Sequence, residues 1–283
     1  MADRAPRRTG HAFLADQARQ ALGVVEFRAL AEIPLPLVHT AFGAAVCGVA
    51  VVVRPEALGL RNSAIADAAL ALLTAIVLVG YDLLVYPRDR RPGLEGAALP
   101  VAAVGAFCTV LAGVTPITVR AAAGVVAALV IGGVPQLAGR RVIDIEGGAT
   151  RLLRDIAGVA VLTPVLIAGT SPVLEPLWRG ALVGVITLLV SFDALRTERL
   201  PVPRALLLAL LLGAGLAGAA VVVTPSATQL GARAAVLLVA WYGGRGIAGV
   251  FAPARRRRLL TVLEYGLFVV LALGALRWIA LQA

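Results

Sequence analysis

The sequence contains no lysine, and its 26 basic residues are all arginine. This absence excludes lysine Schiff-base chemistry and phosphate binding by a P-loop lysine. Histidine is nearly absent as well, since His11 lies in a polar N-terminal tail and His39 in the first apolar segment. These two positions argue against a three-histidine metal centre and a histidine-based triad. Carboxylates and arginines must therefore carry any chemistry.

Charge and cysteine are also scarce. Only 15% of the residues are charged, whereas 60% are hydrophobic and the mean hydropathy is +0.91. The composition excludes a disordered chain, a disulfide scaffold and a soluble nucleic-acid-binding protein. It predicts instead a multi-pass integral membrane protein, which we expect in a bacterial cell membrane. The two cysteines, Cys47 and Cys108, lie in apolar segments and are predicted to pack as small hydrophobic side chains.

The apolar residues form nine segments of about membrane-spanning length. They cover residues 34–53, 63–86, 97–114, 118–138, 154–170, 174–192, 201–223, 229–251 and 259–281. No strand-like alternation interrupts them. The predicted fold is therefore all-α, a polytopic bundle of nine transmembrane helices that occupies residues 33–283. Residues 1–32 are predicted to be a cytoplasmic tail, either a disordered basic segment or an amphipathic helix at the membrane surface.

Arginine alternates between the connections that join these segments. The connections after segments two, four, six and eight are rich in arginine, and the Arg255–Arg258 run is the densest group. The remaining connections hold few basic residues. Because positive residues concentrate in cytoplasmic loops, the N-terminus and the even-numbered connections are predicted to be cytoplasmic. This topology accounts for most of the net charge of +10 without a nucleic-acid partner.

Acidic residues follow segments two and six, at the predicted cytoplasmic ends of both helices. Asp82 and Asp89 form the first group, and Asp193 and Glu198 form the second. A carboxylate at a helix C-terminus meets the negative end of the helix dipole, so a bound cation would stabilise it there. One interpretation is that the four acids bind Mg²⁺ and the neighbouring arginines bind a diphosphate. The other is that they are loop acids paired with arginines. The candidate diphosphate ligands are Arg88, Arg91 and Arg196.

With nine helices and acidic motifs after helices two and six, the sequence resembles the UbiA superfamily of intramembrane prenyltransferases. The first motif aligns as Tyr81-Asp82-x-x-Val85-x-x-x-Asp89 and is followed by Arg91-Pro92. The family pattern has asparagine where Tyr81 stands and aspartate where Val85 stands. The second motif corresponds to Asp193 with Glu198, which is one residue longer than the family spacing.

The resemblance implies Mg²⁺-dependent transfer of a prenyl group from a polyprenyl diphosphate to an unidentified, membrane-accessible acceptor. Loss of the carboxylate at Val85 leaves a second hypothesis open, in which the fold persists as a membrane scaffold or lipid-binding protein without catalysis. A small-solute transporter is the third hypothesis, although the sequence shows no paired broken helices in two halves.

Several further charges fall in or beside apolar segments. Arg245 and Glu264 are expected either to pair between the last two helices or to line the mouth of a lipid cavity. Arg233 lies near a segment end, where its side chain can reach the membrane surface. Asp155 belongs to the acidic group that begins at Asp144, and this group is predicted to form a cytoplasmic turn.

Overall fold

The computed structural model describes the second half of the chain most completely. The described residues are 65–66, 69–77, 79–80, 97–113, 148–172, 174–222, 229–251 and 258–282, together with 45, 118–119, 121–122 and 125. Within these ranges the protein is all-helical. The predicted tail over residues 1–32 and most of segments 34–53 and 118–138 lie outside the described residues.

Six helices are complete enough to be numbered. They are α1 (Ala98–Gly113), α2 (Gly148–Gly169), α3 (Pro176–Thr197), α4 (Val202–Val222), α5 (Leu230–Gly249) and α6 (Arg258–Gln282). Residues 69–77, within predicted segment two, are helical as well. Four of the six helices match predicted segments to within about two residues at each end. The exceptions are α3, which ends later than predicted, and α2, which begins at Gly148 instead of residue 154 and so carries Arg154 and Asp155 in its second turn.

Helix α3 extends to Thr197, beyond the predicted segment end at residue 192. Asp193 therefore lies one turn inside the helix and not in a connection. The helix closes with a Schellman motif, because the Leu200 amide donates to the Leu195 carbonyl (3.3 Å) and the Arg199 amide donates to the Arg196 carbonyl (3.0 Å). Arg199 occupies the left-handed position of this motif, with φ of 64°.

The helices pack around α3, which contacts α1, α2, α4 and α5, while α6 packs against α5. Short connections join α2 to α3 and α3 to α4, so consecutive helices run antiparallel. The start of α5 lies beside the end of α2, where the Thr170 hydroxyl is 3.5 Å from the Leu230 carbonyl oxygen. The start of α2 and the ends of α3 and α5 consequently share one end of the bundle.

Apolar side chains fill the interior between α1, α2, α3 and α5. The largest fully buried ones include Leu162, Leu166, Val183 and Trp241. Glycine brings α3 and α4 together, since a Cβ at Gly213 would lie 2.7 Å from the carbonyl oxygen of Gly184. Such close backbone approach through small residues is common between membrane helices.

The outer faces of α4 and α6 are also apolar, although they are exposed. On α4 they carry Leu207 and Leu211, and on α6 Leu263 and Leu271, all more than half exposed. Two described helices, α3 and α4, are long and apolar enough to cross a membrane.

Candidate functional site

Two ion pairs of the described chain lie at one end of the bundle, called here the charged-pair end and defined by Arg154, Asp155, Asp193 and Arg245. Arg154 and Asp155 are consecutive residues near the start of α2. Asp193 lies near the end of α3, and Arg245 near the end of α5. The antiparallel order of the helices therefore brings four charges from three helices into one region.

Arg154 and Asp193 form a buried ion pair between α2 and α3. The Arg154 Nη2 atom donates to the Asp193 Oδ1 atom, and both side chains are 3% exposed. A buried charge is costly unless an opposite charge lies against it, and here each partner supplies the compensation for the other. The Asp193 carboxylate is thus neutralised by the protein itself.

A second ion pair joins α2 to α5 beside the first. The Arg245 Nη2 atom lies 2.5 Å from the Asp155 Oδ1 atom, with side-chain exposures of 7% and 31%. The Arg245 guanidinium also lies 5.7 Å from the centre of the Trp241 ring, within the range of a cation–π contact. Arg245 is therefore held by an acid on one side and an aromatic ring on the other.

Trp241 connects the second pair to the interior of the bundle. Its ring is fully buried, and its Nε1–H donates to the Ser191 hydroxyl at 2.9 Å. Gly158 allows α2 to approach α3 closely, since a Cβ there would lie 3.2 Å from Val190, while its 3.8 Å distance to Trp241 is an ordinary contact. The polar atom of Trp241 is therefore satisfied, and the helices α2, α3 and α5 lie close together at this level.

A very small cavity of about 10 Å³, with room for about one water molecule, lies among these residues. Its lining combines the four charged side chains with apolar surface. The lining residues are Leu99, Arg154, Asp155, Gly158, Val190, Asp193, Ala194, Trp241 and Arg245. Because the four charges form two opposite pairs, the lining carries no net charge.

The three predicted site residues that the structure describes have separate neighbours. Asp193 pairs with Arg154. The Glu198 carboxylate packs against α5, where a Cβ at Gly249 would collide with it. The Arg196 Nη1 atom donates to the Leu200 carbonyl oxygen and so supports the turn after α3. Each of the three side chains thus takes part in local structure.

The structure describes none of the predicted ligands from the first motif. Asp82, Asp89, Arg88 and Arg91 lie outside the described residues, as does Asp144. Asp155 does not belong to a turn, because it lies inside α2 and pairs with Arg245.

A magnesium site does not fit the part of the chain that the structure describes. Magnesium requires several hard oxygen ligands in near-octahedral geometry. Among the described residues there is no group of three histidine, cysteine, aspartate or glutamate side chains that could hold a metal ion. Asp193, the predicted ligand that faces the cavity, already contacts a guanidinium.

The sequence did not identify Arg154 or the partner of Arg245. The predicted pair between Arg245 and Glu264 is wrong, because Arg245 contacts Asp155 while Glu264 is exposed on α6. One signal was present: Arg154 and Asp155 immediately precede a long apolar run, where both charges would need partners.

No protein-family model, characterised protein or solved structure matches this chain. The class of protein that the fold defines is a helical bundle with two helices able to span a membrane.

Proposed function

We propose that the protein is a multi-pass membrane protein of UbiA-like architecture that binds a polyprenyl lipid, or scaffolds its use, without transferring the prenyl group. The buried pair of Arg154 and Asp193 carries this proposal. It assigns a structural role to the acid that would otherwise be the central metal ligand of the second motif.

The membrane placement is supported by the lengths of α3 and α4 and by the exposed leucines of α4 and α6. In water such apolar faces would be an aggregation hazard, whereas in a bilayer they face acyl chains. The alternating arginines of the sequence complete a nine-helix topology. The charged-pair end then lies on the cytoplasmic side.

The absence of transfer is supported by charge balance. Diphosphate departure requires uncompensated positive charge where negative charge develops. At the cavity both guanidinium groups contact carboxylates, so neither Arg154 nor Arg245 offers its full charge to a phosphate. Val85 and Tyr81 also replace residues of the family motif. These features favour binding of a lipid over ionisation of its diphosphate.

Mg²⁺-dependent prenyl transfer is the second candidate function. The observation in its favour is that Asp193 and two arginines line one cavity at the end where the family motifs are expected. In this candidate Asp82, Asp89, Asp193 and Glu198 hold the metal, while Arg88, Arg91 and Arg196 bind the diphosphate. Arg154 would have to release Asp193 when the metal binds.

Lipid retention tests the proposal against this candidate. Full-length protein in nanodiscs is incubated with a radiolabelled polyprenyl diphosphate, either with Mg²⁺ or with EDTA, and the retained lipid is counted. We expect equal retention under both conditions and unchanged retention in the double variant Asp193→Asn/Arg154→Gln. Arg204→Gln serves as the matched control because Arg204 is exposed on α4. Retention that requires Mg²⁺ and is lost only in the double variant would support transfer, and no retention at all would reject both.

A further inference from the structure

A third buried arginine lies at the opposite end of the bundle, and it forms no ion pair with any residue that the structure describes. Arg179 lies in the first turn of α3 and is only 4% exposed. Its Nε and Nη1 atoms are enclosed and donate to no acceptor. We call this end of the bundle, which also holds Thr170 and Leu230, the Arg179 end.

An enclosed guanidinium without an acceptor is unfavourable. Arginine keeps its proton under all ordinary conditions, so the group cannot become neutral to escape the cost of burial. Buried donors that lack acceptors lose their hydration without compensation. Arg154 differs, because Asp193 compensates its charge. This contrast indicates that Arg179 binds an anion from outside the protein.

The start of α3 provides further donors for an anion. Glu175 is the N-cap residue, but its side chain makes no capping hydrogen bond, and Pro176 occupies the first turn. The amides of Leu177 and Trp178 therefore gain no side-chain cap, and the positive end of the helix dipole lies beside them. Helix side chains lean toward the helix N-terminus, which brings Arg179 over the same turn.

A second guanidinium lies at the same end. Arg233 is in the first turn of α5, and its Nη1 atom is enclosed without an acceptor. Its Nη2 atom is 3.4 Å from the Gln229 side-chain oxygen, a long contact. The Thr170 to Leu230 contact shows that the end of α2 meets the start of α5 here.

Exposed aromatic and apolar residues surround the start of α3. Trp178 is 59% exposed and Leu177 is 78% exposed. Tryptophan is enriched where helices leave the hydrocarbon core, at the depth of the lipid headgroups. In a membrane, the phosphate groups of lipids would therefore lie at the level of Arg179.

We propose that the Arg179 end binds the phosphate group of a membrane phospholipid, with Arg179 as its principal ligand and Arg233 as a second cation. The inference rests on the membrane placement proposed above and is independent of the polyprenyl lipid. Arginine suits this role because its planar guanidinium donates two parallel hydrogen bonds to phosphate oxygens.

Glu175 is the competing anion within the chain. It stands four residues before Arg179, at a spacing that permits a helical ion pair, yet its side chain is exposed and the pair is not formed. Glu175→Gln should therefore leave phospholipid binding unchanged or strengthen it.

The test uses full-length, delipidated protein in a neutral detergent. Short-chain phosphatidylglycerol, the diacylglycerol of the same chain length and inorganic phosphate are titrated separately. Binding is read by native mass spectrometry and by the shift of the melting temperature. The variants are Arg179→Gln and Arg179→Met, with Arg204→Gln as an exposed charge control.

We expect phosphatidylglycerol to bind and raise the melting temperature, and diacylglycerol and inorganic phosphate to have little effect. Arg179→Gln should weaken phosphatidylglycerol binding by about tenfold or more, since hydrogen bonds to charged groups are among the strong ones. Without lipid, both Arg179 variants should melt no lower than the parent, because an uncompensated buried charge has been removed.

Equal phospholipid affinity in the parent and Arg179→Gln would overturn the inference, as would equal stabilisation by inorganic phosphate. Failure of both Arg179 variants to fold even with lipid would assign Arg179 a purely structural role. Unchanged polyprenyl diphosphate retention in Arg179→Gln would separate this site from the cavity at the other end.

Discussion

Arg154 and Asp193 lie 39 residues apart in the sequence and form a buried ion pair between α2 and α3. The pair explains how an acid can be buried near the end of an apolar helix without a metal ion. It also fixes the relative position of two helices, because a shift of either would expose both charges to an apolar environment.

Removal of one partner of this pair should be more harmful than removal of both. Asp193→Asn leaves Arg154 buried without its counter-charge, and the expected loss of unfolding free energy is about 3–5 kcal/mol. The double variant Asp193→Asn/Arg154→Gln leaves two neutral groups and should recover most of that loss. Reversible unfolding in detergent measures the free energy of unfolding of the parent, the two single variants and the double variant.

The second ion pair provides a comparison for that cycle. Asp155 is 31% exposed, so water can replace part of its interaction with Arg245. Asp155→Asn should therefore lower the free energy of unfolding clearly less than Asp193→Asn does.

For the first pair, additive effects of Asp193→Asn and Arg154→Gln on the free energy of unfolding would show that the two side chains act independently. That result would contradict the pairing of Arg154 with Asp193.

The packing of α3 against α4 can be tested with two glycines of the same helix. A Cβ at Gly213 would lie 2.7 Å from the Gly184 carbonyl oxygen, whereas a Cβ at Gly215 would meet nothing within 4 Å. Gly213→Ala should destabilise the bundle by about 1–3 kcal/mol, because the backbone must move. Gly215→Ala should be neutral or slightly stabilising, since alanine is the better helix former. Equal melting temperatures of the two variants would reject the close approach.

The hydrogen bond from Trp241 to Ser191 should contribute measurably to stability. Ser191→Ala leaves the buried Nε1–H without an acceptor, which costs about 1–3 kcal/mol. Trp241→Phe removes the donor but also some buried area. If the hydrogen bond exists, Ser191→Ala should cost less in the Trp241→Phe background than in the parent, as thermal unfolding of the four proteins will show.

Arg199 ends α3 in a left-handed conformation that glycine adopts more easily. Arg199→Gly should therefore be more stable than Arg199→Ala by about 1 kcal/mol, since both lose the arginine side chain and only alanine keeps the strain. Comparison of the two variants with each other, instead of with the parent, isolates the backbone effect. The opposite order would contradict the Schellman motif.

Much of the described fold could be predicted from hydropathy. The segments that became α1 and α4 to α6 were correct within about two residues, because a long apolar run in a chain with few charges has little alternative to a helix. The end of α3 was placed five residues too early. The start of α2 was placed too late. Its first turns carry Arg151 and Arg154. A sequence pattern assigns such arginines to a connection between helices, because their partners in other helices are not known from the sequence.

The two ion pairs at the charged-pair end could not be predicted from the sequence for the same reason. The residue types at Asp193 and Arg245 were recognised as unusual, but their partners were assigned to neighbours in sequence or in the last two helices. Pairing depends on which helices touch, and α2 contacts both α3 and α5. That arrangement follows from the packing of the whole bundle, and the local hydropathy pattern does not show which helices contact each other.

Diphosphate release is the measurement that tests the central claim most directly. Full-length protein in nanodiscs is given a polyprenyl diphosphate and Mg²⁺, and free diphosphate is measured in the parent and in Val85→Asp, which restores the missing carboxylate of the first motif. If Asp193 serves as the partner of Arg154, we expect no release above a lipid-only control in either protein. Mg²⁺-dependent release by the parent, or a large gain in Val85→Asp that Asp193→Asn abolishes, would contradict this account.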